Sequence, residues 1–215
     1  MIATLMKSNT MAQRDSSSSE QERALELVEN LKQGKDKAFD ALFQMYQRRI
    51  FNLSLRMLGD PEEASDLTQD IFVKLYRSVH QFRKQSSFYT WLYRIAINTC
   101  KNRLEKTRRQ AQFETAYDDG LEATQSHINS SSNAPLESVQ RLETREAILN
   151  AVSKLPEKAK TILILKDFQS FNYEEISQIL ECSTGTVKSR LSRARAQLRE
   201  RLSQDQIFQS DSEVS

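Results

Sequence analysis

Arg83-Lys84-Gln85-Ser86-Ser87 runs directly into Phe88-Tyr89-Thr90-Trp91-Leu92-Tyr93-Arg94-Ile95-Ala96-Ile97-Asn98. Trp91, Leu92, Ile95 and Ala96 recur at three- to four-residue spacing, which predicts a helix with one apolar face. The helix carries on through Lys101, Arg103, Lys106, Arg108 and Arg109. From Phe82 to Arg109 eight Lys or Arg residues stand against one acid, Glu105. Cations that follow a phosphate backbone, with aromatic faces between them, suit the holding of unpaired bases. The same aromatics also suit a protein core. The two readings are compatible when the apolar side is buried and the polar, basic side meets nucleic acid.

Working outward, helical periodicity precedes this segment. An apolar stripe begins near Glu20 with Leu25, Leu27, Val28 and Leu31 and ends before Gly34. A second helix spans about Asp36 to Leu58, with Phe39, Leu42, Phe43, Tyr46, Ile50, Leu53 and Met57 on one side. Gly59 stops it, and Asp60-Pro61 restarts the chain as N-cap and first helical residue. The next helix presents Ala64, Leu67, Ile71, Val73, Leu75 and Val79 and reaches about His80. Four helices over residues 20–109 can enclose one core, and residues 1–19, with Ser16-Ser17-Ser18-Ser19, read as a disordered tail. Met1, Met6 and Met11 each stand as a candidate initiator.

Residues 110–134 are rich in Ser, Asn, Gln and acid and carry no Lys or Arg, so they read as a flexible acidic linker. Order resumes at Pro135. One helix carries Val139, Leu142, Ala147, Ile148, Ala151 and Val152, and Leu155-Pro156 opens another that runs through Ile162 to Phe168. Asn172 with Glu175 three residues on predicts a capping box at the head of Tyr173–Leu180. A turn at Glu181-Cys182-Ser183 then leads into a basic helix from Thr184 to about Leu202. Two helices across so short a turn, the second basic, describe a helix-turn-helix. Gly185 near the start of the second helix lets the backbone approach a phosphate where the helix N-terminus favours an anion. The reading is all-α: two small helical domains, residues 20–109 and 135–203, with a second disordered tail at 204–215.

The 215 residues carry a net charge of +2, but that total conceals segregation. Asp60, Glu62, Glu63, Asp66 and Asp70 fall in one stretch without a base, while the bases gather on the two helices described above. Cys100 and Cys182 have no CxxC or Cys/His partner spacing, so no metal site or disulfide framework is expected, and reduced thiols in the cytoplasm are the default. No apolar run approaches the length needed to cross a bilayer, and the first residues lack the pattern of a signal peptide.

The order of these motifs closely resembles the extracytoplasmic-function group of bacterial sigma factors, in the sigma-70 family. The resemblance rests on Asp66-Leu67-Thr68-Gln69-Asp70-Ile71-Phe72-Val73-Lys74-Leu75-Tyr76, on Phe88 through Asn98, and on Leu155-Pro156, Tyr173-Glu174-Glu175-Ile176 and Gly185-Thr186-Val187-Lys188-Ser189-Arg190. It covers roughly Asp36 to Leu202. The resemblance implies a dissociable subunit that binds the β and β′ subunits of core RNA polymerase, confers promoter specificity and performs no chemistry, with no catalytic residue, cofactor or metal.

On the residues, it implies core-polymerase docking by Asp66, Gln69, Asp70, Phe72 and Lys74. Arg83, Lys84, Ser86, Ser87, Phe88, Arg94, Asn98, Lys101 and Asn102 would capture the melted minus-ten strand. Ser183, Thr184, Gly185, Thr186, Lys188, Ser189, Arg190 and Arg193 would read duplex DNA at the minus-thirty-five element. Lys188 stands where many members have Arg, and a Lys lacks the bidentate fork. The resemblance also implies an anti-sigma partner and a monomer when free. The linker is open to two readings, mimicry of an RNA backbone or a passive spacer. A free-standing helix-turn-helix regulator would need a dimerisation heptad, and a DNA-cleaving enzyme a nucleophile or carboxylate cluster; neither is found. Asp66 and Asp70 share a helix face, but no further ligand completes a metal site.

Overall fold

The computed structural model describes residues 13–115 and 147–204, and all of their regular structure is helical. Four long helices form the first unit: α1 (Gln13–Lys32), α2 (Asp36–Leu58), α3 (Pro61–Ser78) and α4 (Phe88–Thr115). Each break has a local cause. Gly59 takes φ +88° and its N–H donates to the Leu55 carbonyl at 2.8 Å, closing α2 in the left-handed form that side chains resist. Asp60 then caps α3, accepting from the Glu63 N–H at 2.7 Å, with Pro61 in the first turn. A 3-10 turn, Val79–Gln81, ends the α3 run.

The core of this unit contains Val28, Leu42, Tyr46, Ile50, Leu53, Ile71, Phe72, Leu75, Phe88, Leu92, Tyr93 and Ile97, all at most 2% exposed. Aromatic rings knit it together, with Phe82 edge-on to Phe88 and tilted on Trp91. Two boundaries differ from the sequence reading. The first helix begins at Gln13, so the serine run lies inside α1 rather than in a tail. Serine is a middling helix former and no Gly or Pro interrupts the run. At the other end α4 reaches Thr115, six residues past Arg109, because Gln110-Ala111-Gln112 continue a helix well. The remaining linker, 116–134, the start of the second unit, including Val139 and Leu142, and both outer tails, 1–12 and 205–215, lie outside the described residues.

The second unit comprises a helix at 147–153 (α5), then α6 (Glu157–Leu163), which widens into a π-helical turn at Ile164–Phe168, then α7 (Tyr173–Leu180) and α8 (Thr184–Gln204). The expected capping box is present: Asn172 Oδ1 accepts from the Glu175 N–H at 2.8 Å, and Glu175 Oε2 accepts from the Asn172 N–H at 2.8 Å. Ile162, Ile164, Leu165, Ile176, Ile179, Val187, Leu191 and Ala194 fill a small core.

The two units pack against each other. Tyr89 and Tyr93 of α4 both donate to Gln169 Oε1, at 3.4 and 2.7 Å, and Tyr89 stacks on Phe171 at 4.8 Å between ring centroids. Burial pushes the Tyr89 phenol up to about 12 and raises Tyr93 well above its ordinary value. On the other side of the seam, Arg56 lies over the Phe168 ring at 4.9 Å, and Lys160 Nζ reaches the Met57 carbonyl near the α2 C-terminus at 3.4 Å. Burial lowers the Lys160 ammonium.

Candidate nucleic-acid and polymerase interfaces

Phe82, beneath Trp91, anchors the loop that follows the 3-10 turn. Lys32 Nζ donates to the Phe82 carbonyl at 2.9 Å, and Lys84, in the left-handed region at φ +57°, pairs with Glu29 at 3.2 Å. The Lys84 hydrogen bond and the nearby Lys32 hold the Glu29 carboxyl below its usual range. The loop is thus fastened to α1 at two points. It opens onto a cavity of about 320 Å³ whose lining includes Arg83, Gln85, Ser86, Trp91 and Arg94. From its rim Arg94, Asn98 and Asn102 follow one another at four-residue steps along α4, with Lys101 three residues past Asn98; Asn98 and Asn102 are exposed, Arg94 and Lys101 half-buried.

Two residues expected to meet a base do other work. Phe88 is fully buried between Tyr46, Phe82 and Trp91, because it opens α4 on the core side, so it offers no face to a ligand. Ser87 caps α4: its Oγ accepts from the Thr90 N–H at 3.0 Å and bonds the Thr90 hydroxyl at 2.8 Å. Ser86 does not cap the helix; its hydroxyl donates to the Ser87 carbonyl at 3.3 Å. Trp91 and Phe82, both buried, are the aromatics that line the cavity.

The outer face of α3 exposes Asp66, Gln69, Asp70, Val73 and Tyr76 at helical spacing. Phe72 and Lys74 differ in how they stand to this face. Phe72 is 1% exposed, edge-on to Phe43 at 4.7 Å and to Phe39 at 6.4 Å, so it supports this face from beneath. Lys74 is exposed one turn beyond Asp70, and its ammonium donates to the Thr99 hydroxyl of α4 at 3.2 Å. The sequence also placed Val73 in the core, whereas it is 44% exposed, and it overlooked Tyr76, 48% exposed and edge-on to Phe39 at 5.4 Å. The apolar alternation cannot show which neighbour a helix faces when it packs on two others. Asp70 pairs with Arg103 at 3.1 Å, so the acidic face borders the basic helix directly.

In the second unit the turn between α7 and α8 is made by Glu181 in the left-handed region, φ +51° and ψ +49°, while the Cys182 N–H donates to the Ser177 carbonyl at 3.0 Å. Ser183 starts α8, its Oγ accepting from the Thr186 N–H at 3.1 Å. Gly185 has only the Ser183 hydroxyl, at 3.8 Å, near the position a Cβ would take, so its backbone is open to an approaching group. Lys188, Ser189 and Arg193 are exposed on α8, and Thr184, Thr186 and Arg190 are half-buried. The Lys188 ammonium lies over the Tyr173 ring at 5.7 Å, with Lys166 over the same ring at 4.9 Å. Arg195 is committed to the fold through a two-pronged pairing with Asp167 at 2.6 and 3.3 Å. Among the described residues no group of carboxylates, histidines and cysteines could hold a metal ion, and no helix is long and apolar enough to cross a membrane.

Comparison with known proteins places these features together. Residues 42–110 match the family described as Sigma-70 region 2, and residues 145–198 match Sigma-70, region 4. The chain is 39% identical over 176 residues to the RNA polymerase sigma-H factor of Pseudomonas aeruginosa, covering 81% of this chain and 91% of that one. It is 36% identical over 183 residues to the ECF RNA polymerase sigma-E factor of Haemophilus influenzae, covering 82% and 93%. Its fold is similar to that of the sigma factor RpoE of Bartonella quintana, solved with the anti-sigma factor NepR. That match has a TM-score of 0.61 at 24% identity and covers 78% of this chain and 98% of that one. CnrH, solved with the cytosolic domain of CnrY, gives a TM-score of 0.60 at 20% identity over 85% and 99%.

Proposed function

Since the chain belongs to the extracytoplasmic-function group of the sigma-70 family and so directs promoter-specific initiation by RNA polymerase, we propose how its surfaces divide that work. The α3 face of Asp66, Gln69, Asp70, Val73 and Tyr76 docks on the core enzyme. Its carboxylates give orientation and its two exposed apolar side chains give contact area. The cavity behind Arg83 and Ser86 takes one unstacked base of the minus-ten strand, with Trp91 as its wall and Ser86 and Gln85 as edge readers. Arg94, Asn98, Lys101 and Asn102 hold the flanking backbone. The N-terminal half of α8 enters the major groove at the minus-thirty-five element through Lys188, Ser189 and Arg193, while the Thr184–Thr186 turn accepts a phosphate.

The observation that carries this reading is the cavity beside the basic stripe of α4, roomy enough for a small ligand and bounded by an aromatic and by polar groups. The chain acts as a regulator without chemistry of its own, in the cytoplasm where polymerase and chromosome meet. An anti-sigma protein holds it when it is not needed; one of the similar folds was solved with an anti-sigma factor.

The test is run-off transcription with core polymerase, with permanganate footprinting of the melted region. Replacing Ser86 and Asn98 together by Ala should leave closed-complex binding intact while thymine reactivity falls. Normal opening by that variant would remove the base-capture assignment.

A further inference from the structure

Tyr173 carries two cations on one ring. It opens α7 immediately behind the Asn172 cap of the capping box, with Phe171, 2% exposed, anchoring the chain before it. The Lys166 ammonium lies 4.9 Å from the ring centroid and the Lys188 ammonium 5.7 Å. Both distances fall within the reach of a cation–π attraction. The two lysines are held differently. Lys166 belongs to the π-helical turn, is half-buried, and donates to the Phe171 carbonyl at 3.0 Å, so backbone fixes its place. Lys188 is exposed on the second turn of α8, and the ring is what its ammonium rests on. Like charges repel, so the fixed Lys166 ammonium resists any inward swing of Lys188.

Helix α8 is keyed to the same place. Arg195 stands seven residues after Lys188, two turns along one face, and pairs through two bonds with Asp167, the neighbour of Lys166. That pair sets the roll of α8, and Tyr173 then sets the side chain that α8 sends out. We propose that Tyr173 is a positioning residue for sequence readout: its ring holds the Lys188 ammonium on the bearing from which it meets one base edge of the minus-thirty-five duplex. This rests on the reading of α8 as the helix that enters the major groove. A lysine ammonium is a point charge on a four-carbon stem with no fork to orient it, so its direction must come from a neighbour. Left free, it would serve whichever phosphate lay within reach, adding affinity without preference. Held on the ring, it loses less side-chain freedom on binding and favours one acceptor. Ser189 and Arg193 lie about 100° and about 140° round α8 from Lys188, so their contacts do not pass through the ring.

The experiment uses the full chain with core polymerase and a set of promoters in which each minus-thirty-five base pair is replaced in turn. Closed-complex dissociation constants give the preference at every position. Lys188→Ala should flatten the preference at one base pair, which identifies the base it meets. Tyr173→Leu should flatten that same preference about two- to fivefold, as an exposed cation–π contact would, and leave the other positions unchanged. Tyr173→Phe keeps the ring face and should keep the preference. In a Lys188→Ala background, Tyr173→Leu should change nothing further at that base pair. Tyr173→Phe made with increasingly fluorinated phenylalanine keeps the shape but drains the negative face of the ring. The preference should then fall with each fluorine while the thermal melt holds.

An unchanged preference in Tyr173→Leu beside a flattened one in Lys188→Ala would overturn the positioning role. So would a uniform loss at every base pair with the melt unchanged, the mark of a phosphate contact. A preference indifferent to fluorine would overturn it as well. If Tyr173→Leu lowers the melt, the fluorine series decides alone, since it leaves the packing in place. Should Lys188→Ala itself leave every preference intact, the groove reading of Lys188 fails and the proposal falls with it. The two failures are therefore distinguishable.

Discussion

Replacing Tyr76 by Ala should weaken binding to core polymerase sharply while leaving the chain folded. Tyr76 is 48% exposed on α3, and a tyrosine carries about 200 Å² of surface, so roughly 95 Å² of ring awaits a partner. Covered completely, that area is worth about 2.4 kcal/mol at about 25 cal/mol per Å². The figure is a ceiling, because ordering the interface takes part of it back. An expected loss of about 1.4 to 2.4 kcal/mol means a dissociation constant raised by about 10- to 60-fold. The substitution also removes the edge contact with Phe39 at 5.4 Å, a loss of about 0.5–1.5 kcal/mol in folding stability. Fluorescence titration of labelled chain against core measures the first effect, and a circular-dichroism melt measures the second. Tyr76→Phe keeps the ring and its packing and gives up only a 3.4 Å bond to Asp36, so it should bind core nearly as the parent does. A folded Tyr76→Ala chain with undiminished core affinity would refute the assignment of this face.

Further outcomes follow from the other sites. Ser87→Ala should cost about 1 kcal/mol of thermal stability through the lost cap on α4, whereas Ser86→Ala should leave the melt unchanged. Equal melts for the two would deny Ser87 its capping role. Arg193→Ala should lower initiation at promoters that depend on the minus-thirty-five element by about 1–3 kcal/mol if it pairs with a base. A phosphate contact would instead weaken all sequences alike and reduce the salt slope, and no change in either would place it off the groove. Stability should be intact below pH 10 and fall as pH climbs towards about 12. Tyr89 is raised from 10.0 to about 12 by burial, and Tyr46 and Tyr93 are raised too, so the folded chain keeps phenol protons that the unfolded chain releases. A phenolate absorbance titration with no late step before helicity is lost would contradict that burial.

Helix boundaries were legible where the signal is local and chemical. Gly59-Asp60-Pro61 and Asn172 with Glu175 state their own geometry, because capping depends on three or four residues only. Faces were harder. Phe72 and Val73 are neighbours, yet one is buried and the other exposed, since α3 packs on both α2 and α4 and a step of one residue turns the side chain by about 100°. Serines 86 and 87 look alike in sequence, and only the position of the first helical turn gives them different work. The seam was not legible at all: Tyr93 and Gln169 lie 76 positions apart, and no periodicity links residues across a linker. The start of α1 at Gln13 lies ahead of where serine-rich composition suggests it, since nothing in that run breaks a helix.

The length of α4 gives the chain a ruler. Its 28 residues form a rod of about 42 Å whose first turn is clamped in the core and whose stretch from Glu105 to Phe113 is exposed throughout. Thr115 thus stands at a fixed distance and heading from the base cavity. One residue inserted into the exposed stretch would swing that heading by about 100° and advance it by about 1.5 Å. Seven would nearly restore the heading but displace Thr115 by about 10 Å. The stretch looks the most tolerant of single substitutions because its side chains are exposed. It is nonetheless strict about length, and indel variants scanned along it should regain activity with the period of the helix.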